Sequence, residues 1–199
     1  MRKATNSVAT WLGIAAGIAG FEHGYFEFLQ GNKRPGGLAF PSWGPPCVPD
    51  EIWHRCEPAM SILPNFLVTG ILAMLLSVVL LVWAGWFVQR RHGGLVQMGL
   101  SIALLLFGGG FFPPLIGLIG GAAGTQIHRP LSSQPGAATR FAAKLWPWPL
   151  VLLVGWLLAQ FVVGYFFNDW LKSVMWFSLL FIVTFLPLSV YVGYARDAV

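Results

Sequence analysis

Charged residues are scarce in this sequence. Of its 199 residues, 12 are Lys or Arg and 7 are Asp or Glu, which makes 10% charged, against about a quarter in an average soluble protein. A soluble domain needs a charged surface, and 56% hydrophobic residues with a mean hydropathy of +0.69 leave too few polar residues to build one. The composition excludes a soluble domain and predicts an integral membrane protein.

The chain also lacks the short motifs that identify common enzymes. It contains no nucleophile elbow, no HExxH zinc motif, no phosphate-binding loop and no CxxC pair. Its only cysteines, Cys47 and Cys56, have eight residues between them, a spacing typical of neither a zinc site nor a redox pair. We expect these two cysteines to form a structural disulfide in an oxidising compartment.

Long apolar runs fill most of the chain. A helix rises about 1.5 Å per residue, so about 20 apolar residues cross a hydrocarbon core about 30 Å thick. We predict a single transmembrane domain over residues 1–199, an all-α bundle of about six helices with an extracytoplasmic loop at 31–59. The predicted spans are, in order, 8–29, 60–88, 94–109, 113–127, 146–167 and 174–194.

The stretch 94–127 is too long for one crossing and is interrupted near its centre. Three glycines, Gly108 to Gly110, are followed there by two phenylalanines and two prolines. Glycine and proline end helices, so we predict a short hairpin in which the third and fourth helices are separated by this break. Each arm has only about 14 to 16 residues, which leaves a re-entrant pair as the alternative to two full crossings.

The hairpin determines how the basic residues are distributed. With six crossings, eight Lys and Arg residues fall on the side of the N-terminus and four on the opposite side. Basic residues concentrate in cytoplasmic loops, so both termini are predicted to lie in the cytoplasm. The eight are Arg2, Lys3, Arg90, Arg91, Arg129, Arg140, Lys144 and Arg196.

The first apolar segment has two interpretations. A basic start at Arg2 and Lys3, followed by the apolar residues 8–20, resembles a signal peptide that is cleaved. However, the apolar pattern continues from Phe21 to Leu29 without a polar break. This continuity favours a first transmembrane helix.

Glycines recur four residues apart on two predicted helices. Gly13 and Gly17 lie on the first helix, and Gly117 and Gly121 lie on the fourth. Such pairs present a surface without side chains, to which another helix can approach closely. We predict that these four glycines pack helices together, within the chain or in a larger membrane complex.

Polar residues are concentrated in one stretch, GFEHGYFEFLQG at residues 20–31. Glu22 and His23 fall in the outer third of the predicted membrane, whereas Glu27 and Gln30 emerge at its surface. An ionisable residue within a span is costly and is by default a functional hypothesis. His23, Glu27 and Gln30 share one helix face, and Glu22 points about 100° away from His23.

Other polar residues on the same side complete a candidate pocket. They are Glu57 in the loop and Asn65 at the start of the second span. Carboxylates and an imidazole suit a proton or a divalent metal, for which His23 and Glu27 are the candidate ligands; the sequence identifies no cofactor. The alternatives are that Glu27 and Gln30 face headgroups and water, and that His23 hydrogen-bonds a neighbouring helix.

These observations favour a transporter, a channel-like protein or an accessory subunit. Its outward-facing pocket would take a cation, a proton or a small solute. The alternatives are a membrane-embedded enzyme or redox factor that uses the same pocket, which the missing motifs disfavour, and a structural subunit of a larger complex. The expected partners are the lipid bilayer and further copies or other subunits. Nucleic acid is not expected, because the basic residues lie scattered at the ends of apolar runs.

Three stretches of the sequence carry a family resemblance. They are the pattern GxEHGxxExLQG at 20–31, the EPAM and PNFLVTG runs between Glu57 and Gly70, and RRHGG followed by GGGFFPPLIG. Together they resemble a family of small multi-pass prokaryotic membrane proteins to which no activity is assigned. The resemblance covers roughly residues 8–128. It implies the cytoplasmic membrane of a bacterium or archaeon and implies no chemistry.

Overall fold

The computed structural model describes residues 1–41, 57–130 and 135–199 of the chain. Over these residues the fold is helical, as predicted, apart from one small sheet. The helices are α1 (Lys3–Leu29), α2 (Phe66–Trp86), α3 (Gly93–Leu106), α4 (Phe112–Gly124), α5 (Ala137–Lys144), α6 (Trp148–Phe166), α7 (Asn168–Ser173) and α8 (Met175–Ala198). The strands are β1 (Ala39–Pro41) and β2 (Pro58–Met60).

Three of the described helices are long and apolar enough to cross a membrane. They are α2, α6 and α8, with 21, 19 and 24 residues. They correspond to the second, fifth and sixth predicted spans. The structure does not confirm the other three crossings. Two of them, α3 and α4, have only 14 and 13 residues, about 21 and 20 Å of helix, and α1 is long but less apolar. The Gly/Pro break that separates α3 from α4 is where the sequence predicts it.

The predicted second span starts too early, and the prediction of an all-α fold misses a sheet. Met60, assigned to the first position of the span, is instead the last residue of β2, which pairs antiparallel with β1. The helix begins only at Phe66, because Asn65 is its N-cap and accepts a hydrogen bond from Val68 N at 3.2 Å. Two segments that are distant in sequence thus make a ribbon that no local pattern reveals.

Helix α1 lies at the centre of the bundle. It has 27 residues and packs against α2, α3, α4, α6 and α8. Because it packs against five other helices, α1 needs small side chains for close approach more than it needs the apolarity that lipid requires. This explains why α1 is not among the three helices that are both long and apolar enough to cross a membrane. Its small buried residues are Ala4, Ala9, Gly13, Ala15, Ala16, Gly17, Gly20 and Gly24.

The glycines singled out in the sequence lie in helix contacts within the chain. A Cβ atom added to Gly13 of α1 would lie 2.5 Å from the Cβ of Ala84 in α2. A Cβ atom added to Gly121 of α4 would lie 2.6 Å from Cγ of Met98 in α3. Gly17 and Gly117 are equally close to neighbouring helices. These four glycines therefore hold α1 to α2 and α3 to α4.

Both chain termini lie at the same end of the bundle. Arg2 N donates to Ile127 O at 2.9 Å, and the His128 ring contacts Gln89 O at 2.6 Å, so the ends of α1, α2 and α4 meet there. We call it the basic end, because Arg2, Lys3, Arg90, Arg91, Arg129, Arg140, Lys144 and Arg196 belong to the segments that meet at it.

An aspartate from α8 caps α1 at the basic end. The carboxylate of Asp197 accepts hydrogen bonds from Ala4 N at 2.9 Å, from Thr5 N at 2.8 Å and from Thr5 Oγ1 at 2.7 Å. Arg2, the residue directly before α1, makes no side-chain hydrogen bond that caps the helix. A negative charge at a helix N-terminus is favourable because it meets unpaired amides and the positive end of the helix dipole.

We expect Asp197→Ala to lower the free energy of unfolding by about 1 to 2 kcal/mol, the usual cost of losing a helix cap. Thermal unfolding of the purified protein in detergent would measure the loss. Asp169→Ala is the matched control, because the Asp169 side chain is 93% exposed and pairs with Lys172 at the surface. Equal stability of the two variants would contradict the capping role.

Candidate functional site

The loop between α3 and α4 covers the last two turns of α1. A Cβ atom added to Gly110 would lie 2.7 Å from Cε1 of His23, and one added to Gly108 would overlap the carboxylate of Glu27. Both glycines have positive φ angles, +89° and +75° for Gly108 and Gly110 respectively, a conformation that other residues rarely adopt. Each of these two positions therefore requires glycine for two reasons: the backbone conformation and the lack of space for a side chain.

Hydrogen bonds fix this loop to the ribbon. Gly108 N donates to Met60 O at 2.8 Å, and Ile62 N donates to Leu106 O at 3.0 Å. Ser61 also pairs with Phe107 in a single antiparallel β-bridge. The ribbon and the glycine loop thus form one continuous cover over the end of α1 that lies opposite the basic end.

Glu27 is completely buried under this cover. Its exposed fraction is 0%, and its Oε2 accepts a hydrogen bond from Thr69 Oγ1 of α2 at 2.6 Å. Its Oε1 has no hydrogen-bond partner among the described residues. The alternative that Glu27 faces headgroups and water is wrong, because the loop folded over α1 covers it. A carboxyl group buried with one neutral partner is costly.

His23 lies one turn before Glu27 on the same face of α1. It is 3% exposed, and its Nε2 is 3.3 Å from Oε2 of Glu57, which precedes β2. The Glu57 side chain remains 29% exposed. His23 thus contacts the segment that enters the ribbon, and its hydrogen bond to a neighbouring helix stays a prediction.

Glu22, His23 and Glu57 open onto a cavity of about 80 Å³ between α1, α4, α6 and α8. Most of its wall is apolar, and no Lys or Arg lines it among the residues that the structure describes. Its other polar side chains are Gln160 of α6 and Ser178 of α8, both buried. The cavity therefore combines two carboxylates and an imidazole with an apolar wall.

Three polar residues of this region escape the sequence-based prediction. They are Thr69, which bonds Glu27, and the cavity residues Gln160 and Ser178. Each is a polar residue inside an otherwise apolar predicted span, which is the signal that identifies them. Such residues also occur where a hydroxyl or amide bonds its own helix, so the signal alone does not separate the two roles.

Gln30 and Asn65 lie outside the cavity wall. Gln30 ends α1, and its Nε2 is 3.5 Å from Phe26 O. Asn65 caps α2 and donates from Nδ2 to Asn32 Oδ1 at 2.6 Å. Both side chains therefore serve helix ends, and the polar cluster consists of the buried residues His23, Glu27 and Thr69 together with the partly exposed Glu57.

The structure brings no set of metal ligands together in its described part. Over residues 1–41, 57–130 and 135–199, no three His, Cys, Asp or Glu side chains are grouped so that they could hold a metal ion. His23 and Glu27 supply too few ligands by themselves. Cys47 and Cys56 lie outside the described residues, so their disulfide stays a prediction.

Comparisons of the chain with protein-family models, with curated proteins and with solved structures found no match. The family resemblance of residues 8–128 therefore stays a prediction.

Proposed function

We propose that this protein is a small transporter, or a channel-like accessory subunit, that exchanges a proton at Glu27. The proposal rests on the burial of Glu27. Its only hydrogen-bond partner among the described residues is the neutral hydroxyl of Thr69. A protein keeps an ionisable group in such a position at a cost in stability, and proton relays within membranes use groups of this kind.

Thr69 suits both protonation states of Glu27. When the carboxyl group is ionised, the hydroxyl of Thr69 donates to it. When the carboxyl group is protonated it can donate to Thr69 Oγ1, whose own hydrogen then turns to Phe66 O at 3.3 Å. The hydrogen bond reverses without movement of either side chain, so the site can hold and release a proton.

His23 connects Glu27 to the cavity. Residues four apart on a helix are neighbours, so the imidazole of His23 lies beside Glu27. Its Nε2 contacts Glu57, which is partly exposed and lines the cavity together with Glu22. A neutral imidazole accepts at one nitrogen and donates at the other, and we propose that a side-chain rotation brings His23 to Oε1 of Glu27 and completes the path between the two carboxyl groups.

We further propose that the bundle spans the cytoplasmic membrane of a prokaryote six times, with both termini in the cytoplasm. The basic residues collected at the end with the termini support this orientation. Trp148 and Tyr165 are exposed aromatic residues near the two ends of α6, and they support a full crossing of the membrane by this helix. They are 17 residues apart, about 26 Å along the helix, close to the hydrocarbon thickness.

A structural-subunit role has less support. That hypothesis needs small-residue faces that are open to a partner. Gly13, Gly17, Gly117 and Gly121 instead contact neighbouring helices of the same chain. They therefore offer no surface to another subunit.

Proton flux into vesicles tests the proposed activity. The full chain is reconstituted with a pH-sensitive dye inside, and a membrane potential is imposed with potassium and valinomycin. We expect the wild type to move protons, and Glu27→Gln, which has the same shape but no titratable group, to fall to the flux of protein-free vesicles. Asp169→Asn, at an exposed site, is the matched control and should behave as the wild type. Wild-type flux in a folded Glu27→Gln protein would refute the proposal.

A further inference from the structure

A second site lies at the basic end, on the outside of the bundle. A groove of about 660 Å³ runs between the end of α4, the first turn of α5 and the last turns of α8. Its apolar wall includes Ile119, Ala122 and Val190, and its polar end holds Arg2, Gln126 and Tyr194. The groove is separate from the cavity beside His23 and shares no residue with it.

Arg2 carries a positive charge at the polar end of the groove. Its Nε donates to Arg129 O at 3.2 Å, its Nη2 donates to Pro130 O at 3.0 Å, and its guanidinium lies 5.9 Å from the centre of the Tyr194 ring. Carbonyls and an aromatic ring position a guanidinium without cancelling its charge. Arg2 is therefore held in place and keeps the ability to attract an anion.

Little negative charge competes for this arginine. The sequence places a single acidic residue, Asp197, in the segments that form the basic end. The carboxylate of Asp197 accepts from the first amides of α1 and from Thr5 Oγ1. Arg129, Arg140 and Arg196 add positive charge at the same end. The groove consequently joins an electropositive end to an apolar wall along α4 and α8.

We infer that this groove binds an anionic phospholipid. The phosphate of the headgroup lies at Arg2, with Gln126 beside it as a further donor, and an acyl chain follows the wall formed by Ile119 and Val190. Basic pockets between transmembrane helices on the cytoplasmic side recognise anionic headgroups by this combination of charge and apolar surface. The inference depends on insertion in a bilayer and does not depend on proton exchange at Glu27.

Native mass spectrometry of the full chain in detergent tests the inference. Phosphatidylglycerol is titrated against phosphatidylcholine of the same acyl composition, and the lipid-bound fraction is measured. We expect the wild type to prefer phosphatidylglycerol and Arg2→Gln to bind it roughly fivefold more weakly, the effect of one basic contact at a membrane surface. Arg91→Gln removes one exposed charge at the same end but outside the groove, and it should bind as the wild type does.

A second variant tests the groove without removing a charge. Ala122 is exposed and lines the apolar wall, so Ala122→Trp fills the groove from its surface and leaves the core intact. We expect this variant to lose bound phosphatidylglycerol while helix content and elution volume stay unchanged. Competition by inorganic phosphate at millimolar concentration would identify a soluble phosphate as the ligand and overturn the lipid assignment. Binding of phosphatidylglycerol by both variants at the wild-type level would overturn the site itself.

Discussion

Gly108→Ala is expected to lower the free energy of unfolding by about 2 to 4 kcal/mol and to abolish proton exchange. The new methyl group would overlap the carboxylate of Glu27, and alanine would have to adopt a φ angle of +89°. Backbone strain of this kind costs about 1 to 3 kcal/mol, and overpacking adds a similar amount. Thermal unfolding in detergent and the vesicle flux assay measure the two effects.

Gly99→Ala is the control for the Gly108 variant. Gly99 lies in α3, with nothing within 4 Å of an added Cβ atom. Alanine should be neutral or slightly stabilising there, because it has the higher helix propensity. A Gly108→Ala, Glu27→Ala double variant should recover part of the stability lost by Gly108→Ala, since the overlap is gone and only the strained φ angle remains. Strictly additive losses would show that Gly108 and Glu27 are not in contact.

Gly70→Ala should destabilise the protein strongly and disturb the hydrogen bond between Thr69 and Glu27. A Cβ atom at Gly70 would lie 2.6 Å from Gly24 O and would overlap Phe28 N, so the new methyl group meets the backbone of α1. Backbone cannot rotate aside as a side chain can, and we expect a loss of about 3 kcal/mol or more. Thermal unfolding measures it.

Gly85 supplies a control on the same helix. It lies near the other end of α2 and has nothing within 4 Å of an added Cβ atom. Gly85→Ala should therefore leave stability unchanged or raise it by up to about 1 kcal/mol through helix propensity. The two substitutions are chemically identical and differ only in what faces them. Similar effects of the two would mean that α1 and α2 do not approach each other at Gly70.

Local sequence signals predict much of the helical fold. The Gly/Pro break separates α3 from α4, and the apolar runs predict α2, α6 and α8. The start of α2 is predicted wrongly because residues 58–60 pair with residues 39–41. Such pairing depends on contacts between distant segments, which hydrophobic periodicity does not encode. Six crossings stay a prediction, since α3 and α4 are shorter than the hydrocarbon core.

The sequence predicts that His23 and Glu27 belong to the site, but it does not predict how deeply they are buried. The spacing of four residues identifies His23 and Glu27 as neighbours on α1, and both face the interior of the protein. Counting residues along one helix places Glu27 at a surface, whereas the glycine loop covers it. Thr69 completes the cluster from another helix, which one sequence read along its length cannot show.

Infrared difference spectroscopy of the reconstituted protein during a pH step tests proton exchange at Glu27 most directly. If Glu27 exchanges a proton, the wild-type spectrum will contain the carbonyl band of a protonated carboxyl group that appears and disappears with pH. Glu27→Gln will lack this band, Asp169→Asn will retain it, and Thr69→Val will shift its frequency because the hydrogen bond to the carboxyl group is lost. Identical spectra from wild type and Glu27→Gln would show that Glu27 exchanges no proton and would contradict the proposed function.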